Sequence, residues 1–162
     1  MSKALIIATS VLVLGVIVKN SKSNLVDLTK PRGVRANNPL NIEQNRSNNW
    51  LGKVTPSVDK RFETFSAPKY GFRAGARTLR TYQNKHGLNS IRELIHRFAP
   101  SNENKSDNYA EFVAGQVGVS PDAQVNLSDN ALLANIVYAM SVMEVGRGWY
   151  TLDDARQGVA LA

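Results

Sequence analysis

Residues 128–148 read SDNALLANIVYAMSVMEVGRG. Leu133, Ile136, Val137, Met140 and then Met143 or Glu144 recur at helical spacing, which predicts an amphipathic helix facing a core. Ser128 or Asp129 stands where an N-cap is needed, and Gly146 and Gly148 end the pattern. Glu144 follows Met140 by four residues and Val137 by seven, so it continues the apolar stripe into the last turn. Burial and the negative end of the helix dipole both disfavour its charged form there. A carboxylic acid kept protonated near neutral pH is what general-acid cleavage of a glycosidic bond requires. The plainer reading of the same residue is a glutamate paired with Arg147 or another arginine, or one turned to solvent at a helix end.

Three further helical patterns precede this one. Residues 70–85 place Phe72, Ala76, Leu79 and Tyr82 or Gln83 on one face and Arg73, Arg77 and Arg80 on another, with Gly87 as the stop. Residues 90–98 open with Ser90 and Glu93 in capping-box spacing and close before Pro100. Residues 107–117 carry Tyr109, Phe112, Val113 and Gln116 on one side. Residues 151–162 read as a final helix or a frayed end. The stretch 61–65 (RFETF) is a candidate short strand, and residues 32–50 are crowded with Asn, Gly and Pro, a turn composition. The expected fold class is mainly α with little β.

The chain has 162 residues, a formal net charge of +7, no cysteine and two histidines. Disulfides, thiol nucleophiles and multi-His metal sites are thereby set aside, and no cofactor is called for. The charge is uneven: residues 31–97 carry +9 and residues 98–162 carry −5. That polarity fits two halves attracting each other as well as a basic functional face, and the Arg73–Arg77–Arg80 stripe fits either. No recognition motif for sequence-specific nucleic acid is present. His86 and His96 read as surface or capping residues. Among the other acids, Glu43 could line a cleft, Asp59 and Glu63 suit salt bridges to Lys60, Arg61 or the arginine helix, and Glu93 is explained by its cap.

Residues 4–18 are 15 uncharged, mostly apolar residues between Lys3 and Lys19. As a helix they span about 22 Å, short of a bilayer core, with flanking lysines able to snorkel. The expectation is a single N-terminal transmembrane helix, with a cleaved signal peptide or a buried helix as alternatives. The excess of lysine and arginine after the run would place the following domain in the cytoplasm if a cell inserted it, and does not conflict with a protein carried in a viral membrane and delivered from outside. The expected organisation is a 1–19 transmembrane anchor, a 20–30 linker, a 31–150 soluble domain and a 151–162 tail.

Arg32-Gly33-Val34-Arg35-Ala36-Asn37-Asn38-Pro39-Leu40-Asn41-Ile42 resembles the RG(I/V)R-x-NNP-x-NI signature of phage and prophage virion-associated structural proteins with a lysozyme-like or transglycosylase-like domain. The resemblance continues through Asn49-Trp50-x-Gly52, Asp59-x-Arg61-Phe62-x-x-Phe65, Gly71-Phe72-Arg73-Ala74, Leu79-x-x-Tyr82, Phe98-Ala99-Pro100 with Glu103-Asn104 and Tyr109, and Met143-Glu144-x-Gly146 with Tyr150. It covers about residues 31–150.

The resemblance implies a lysozyme-like domain acting on peptidoglycan, on a virion; together with the expected N-terminal span, the expected partners are peptidoglycan, a lipid membrane and other virion proteins, and the expected location is virion and membrane-associated. It implies Glu144 as the catalytic acid, with Asn37, Asn38 and Asn41 binding the sugar and Trp50 or Tyr150 stacking on it. In lysozyme-like transglycosylases the catalytic Glu precedes the Asn/Gln-rich cleft loop. Here that loop comes about 100 residues before Glu144, an order a circular permutation would reconcile. A non-enzymatic protein joining capsid to membrane is the competing reading.

Overall fold

The computed structural model describes residues 27–100 and 103–162. Their helices are α1 (Arg32–Arg35), α2 (Pro68–His86), α3 (Ile91–Phe98), α4 (Glu103–Val117), α5 (Asn130–Val145) and α6 (Leu152–Ala160). Among the described residues, β-pairing is limited to isolated antiparallel bridges at Glu43–Phe62, Lys53–Phe65 and Ser90–Gln124. The mainly helical expectation agrees with this architecture.

Local chemistry sets the helix ends. Pro68 occupies the first turn of α2, and Gly87, at φ 67°, ends it with its N–H on the Gln83 carbonyl at 3.0 Å. Ser90 and Glu93 form a complete capping box on α3. Asp129 caps α5, its carboxylate accepting from the N–H groups of Ala131 and Leu132. Thr151 and Asp154 form a second capping box on α6. The candidate strand at 61–65 makes single bridges instead, because its backbone partners are scattered. The Glu63 N–H donates to the Ile42 carbonyl and the Phe65 N–H to the Ala36 carbonyl, both at 2.9 Å, while the Thr64 carbonyl accepts from Val54.

The core gathers Phe72 and Leu79 of α2, Ile91, Leu94 and Ile95 of α3, Val113 of α4, Leu133, Ile136 and Met140 of α5, and Ala155 and Val159 of α6. Each large aliphatic side chain buried this way contributes about 1.5–3 kcal/mol. Helix α5 touches α1, α2, α4 and α6. That central position explains why it is the most apolar of the long helices among the described residues.

The arginine face of α2 mostly secures the chain's end. Arg73 Nε donates to the Leu161 carbonyl at 2.7 Å, and Arg80 donates to the carbonyls of Leu127 and Ala162 and to Asn130 Oδ1. The acids of the second half meet a different arginine. Arg92 of α3 pairs with Asp107 and Glu111 of α4 and with Asp122. His96 joins the same cluster through Asp107 at 2.8 Å.

The expected N-terminal transmembrane helix is corrected. No helix among the described residues is long and apolar enough to cross a membrane, and the 1–19 segment on which it was placed lies outside those residues, as does the linker up to residue 26.

Candidate functional site

The Asn-rich loop after α1 builds one wall of the site. Asn37 and Asn41 take left-handed backbone conformations, φ 49° and 48°. Asparagine tolerates this region better than other side chains with a Cβ. Asn38 is completely buried. Its amide donates to the carbonyls of Ile42 (3.0 Å) and Glu63 (2.9 Å), and its oxygen accepts from the Ile42 N–H (2.8 Å). Asn37 donates to the Phe65 carbonyl at 3.0 Å. The loop can lie this close to α2 because Gly71 and Gly75 lack side chains. A Cβ on Gly71 would sit 2.5 Å from both the Asn37 carbonyl oxygen and Pro39 Cδ, and one on Gly75 would strike Leu40 at 2.6 Å.

Beneath the loop, Glu63 is fully buried and held by Lys53 Nζ at 2.8 Å, with the Asn45 N–H on the same oxygen at 3.3 Å. Asp59 instead pairs with Arg32 and accepts from the N–H groups of Arg61 and Phe62. Those backbone hydrogen bonds hold its carboxyl below the usual range.

Helix α5 carries Glu144 to the loop in its last turn. Asn41 Nδ2 donates to Glu144 Oε2 at 2.9 Å and to the Glu144 carbonyl at 3.3 Å. Tyr109 of α4 donates its hydroxyl to Glu144 Oε1 at 3.1 Å, with the Met140 carbonyl at 3.4 Å as a second acceptor. Burial raises the Glu144 carboxyl above the ordinary glutamate range, and the hydrogen bonds from Asn41 and then Tyr109 partly offset that rise. Burial first, and then the Glu144 charge, push the Tyr109 phenol well up. Arg147 does not pair with Glu144; its guanidinium lies over the Phe112 ring, 5.7 Å from the centroid.

Glu144 and Asn41 open onto a cleft of about 640 Å³ whose lining includes Trp50, Thr78, Tyr82 and Arg97. Glu43 lines it too, ion-paired to Arg61. The wall combines a carboxyl, amides, aromatic faces and cations, the mixture that carbohydrate hydroxyls and amides can meet.

The structure brings together three of the residues singled out from sequence: Glu144, Asn41 and Trp50 share the cleft. Trp50 is half-buried, its indole N–H enclosed without an acceptor among the described residues. Asn37 and Asn38 spend their amides on the backbone. Tyr150 is buried away from the cleft, its hydroxyl donating to the Gly33 carbonyl at 3.3 Å and its ring edge-on to Phe72 at 5.5 Å.

Sequence reasoning missed Tyr109 as a partner of Glu144, Glu63 as a core residue, and Arg97 and Tyr82 as cleft residues. Tyr109 carried one usable signal: a tyrosine on an apolar helix face needs a partner for its hydroxyl.

No family model matches the chain. It is 43% identical over 129 residues to Protein P5 of Pseudoalteromonas phage PM2, an alignment covering 78% of this chain and 79% of that protein.

Proposed function

The chain belongs to the family of Protein P5 of Pseudoalteromonas phage PM2, and from that premise we propose that it is a phage virion protein whose domain cleaves the glycan strands of peptidoglycan. Among its partners would be other virion proteins. The observation that carries the catalytic part is a raised carboxyl, Glu144, held between Asn41 and Tyr109 and open to a polar, aromatic-lined cleft.

In this reading protonated Glu144 gives its proton to the glycosidic oxygen as the C1–O bond breaks. The resulting carboxylate is stabilised by the two donors already facing it, Asn41 Nδ2 and the Tyr109 hydroxyl. Burial favours the protonated form, and the two donors favour the carboxylate left after transfer. Before transfer, the Tyr109 hydroxyl can turn to the Met140 carbonyl, which frees its oxygen to accept from the Glu144 O–H.

Glu43, the other carboxylate lining the cleft, is committed to Arg61. A single available acid favours the transglycosylase route. The substrate's own hydroxyl attacks C1, closes an anhydro ring and returns its proton to Glu144. A lysozyme-like ancestry in permuted order is part of the same proposal.

The test is release of soluble muropeptides from purified sacculi by the wild-type chain and by Glu144→Gln. Removing a general acid costs about 10²–10⁴-fold in rate, so the variant should fall by that factor while keeping its helical circular dichroism. A folded variant that digests sacculi at the wild-type rate would overturn the proposal. It would leave the architectural reading, to which Glu144's two occupied oxygens are equally suited.

A further inference from the structure

Two arginines line the Glu144 cleft, and they are in different states. Arg61 is neutralised: its Nε and a terminal nitrogen both donate to Glu43 Oε1. Arg97 is positioned without being neutralised. Its guanidinium carbon lies 5.0 Å from the centroid of the Tyr82 ring, and one terminal nitrogen is 3.1 Å from His86 Nε2. Among the described residues no ion pair joins it to a carboxylate.

An aromatic face and an imidazole nitrogen fix the plane of a guanidinium while leaving its charge uncompensated. The remaining N–H groups form a planar fork suited to a carboxylate, which can be bound through two parallel hydrogen bonds. Arg97 comes from the last turn of α3, and Tyr82 and His86 come from the last turns of α2. The arrangement is therefore assembled from two helices that pack together, and the guanidinium does not depend on a loop for its position.

We propose that Arg97, backed by Tyr82 and His86, is a carboxylate-binding subsite of the Glu144 cleft. It would select glycan strands that carry acidic substituents over neutral β-1,4 glycans. In peptidoglycan those substituents are the free carboxylates of the peptide stems. The inference rests on the glycan-cleaving reading for its substrate, but it concerns recognition rather than bond breaking. A subsite of this kind gives the cleft a preference that Glu144 and Asn41 do not provide, since they would act at the scissile bond and every β-1,4 glycan presents one.

The experiment measures equilibrium binding of the full chain to intact sacculi free of teichoic acid. It uses the Glu144→Gln background so that the strands are not cut. Each protein is also tested on sacculi whose carboxylates have been amidated. The Glu144→Gln parent should bind native sacculi about tenfold more tightly than amidated ones, the scale of one charge-assisted bidentate contact. Adding Arg97→Gln should lower binding to native sacculi about tenfold and abolish the preference. Adding Arg97→Lys keeps the charge but loses the fork, so it should retain a smaller preference; this variant also keeps the question open should the glutamine variant fail to fold.

Equal binding of the parent to native and amidated sacculi, binding unchanged by Arg97→Gln, or no binding by the parent at all would each overturn the subsite. The two proposals fail separately. Arg97-dependent binding in a wild-type chain that cuts nothing would sink the cleavage reading and keep the subsite. Cleavage with binding indifferent to Arg97 would do the reverse.

Discussion

Residues 36–66 and helices α2–α6 bury very different side chains. In the first region the completely enclosed residues include an asparagine, Asn38, and a glutamate, Glu63, beside Leu40 and Phe65. In the second they include Phe72, Leu79, Ile91, Leu94, Ile95, Leu133, Ile136 and Met140. The helices satisfy their own backbones, so their interfaces need only apolar surface of fitting shape. The loop region has only scattered backbone pairs and no ladder, and side chains complete the rest. Asn38 serves both the N–H and the C=O of Ile42 and the carbonyl of Glu63, and Lys53 compensates the Glu63 charge. Glu144 lies at the seam, carried by the most apolar helix and received by the most polar loop. A carboxyl placed there is desolvated from the helix side and hydrogen-bonded from the loop side.

The comparison is broken hardest at the buried ion pair. Lys53→Met should leave the Glu63 carboxylate enclosed without its cation and cost about 3–5 kcal/mol in urea unfolding. In the helical region, Leu133→Ala should cost about 3 kcal/mol through the cavity it leaves, whereas Leu133→Met should cost less than about 1.5 kcal/mol. Asn38→Ala should cost about 2–3 kcal/mol, since it strips the Ile42 N–H and the Glu63 carbonyl of their partner while the Ile42 carbonyl keeps the Glu63 N–H, and each buried group left unpaired carries a penalty of about 1–3 kcal/mol. Asn38→Leu, despite its matching volume, should be no better. If the leucine rescued stability, the loop would be an apolar core like the helices, and the contrast would collapse. Gly71→Ala should cost about 1–3 kcal/mol, because the atoms it meets are loop backbone and a proline ring that cannot simply rotate away.

The smallest effect carries a sign. A carboxyl whose pKa is raised by folding stabilises the fold below its unfolded pKa, and that contribution is lost as pH rises through the folded value. Glu144→Gln, which mimics the neutral form, should therefore melt above the wild type at pH 7. The difference should shrink as pH falls below the ordinary glutamate range.

The helices were legible in the sequence because periodicity and caps are local. The Ser90–Glu93 box, the Asp129 cap and the Gly87 stop lie within a few residues of what they serve. Glu144 was legible for the same reason, as the continuation of a stripe. What receives it was not. Asn41 is 103 residues away in the chain and Tyr109 is 35 away. The three asparagines of one loop look alike in sequence; only Asn41 reaches the cleft, because the backbone turns the others inward. Tyr150 looked like a stacking platform, but its ring is packed on Phe72 inside the domain. The early start of α4 at Glu103 was hidden by a polar first turn that shows no apolar period.

The most direct test of this picture is a titration of the Glu144 side-chain carboxyl carbon, followed by NMR and assigned by its absence in Glu144→Gln. Its midpoint should lie above the ordinary glutamate range, and it should rise further in Asn41→Ala and in Tyr109→Phe, because each removes a donor that favours the charged form. A midpoint at or below the ordinary range, or one that falls when either donor is removed, would contradict the assignment of Glu144 as a desolvated acid poised for proton transfer.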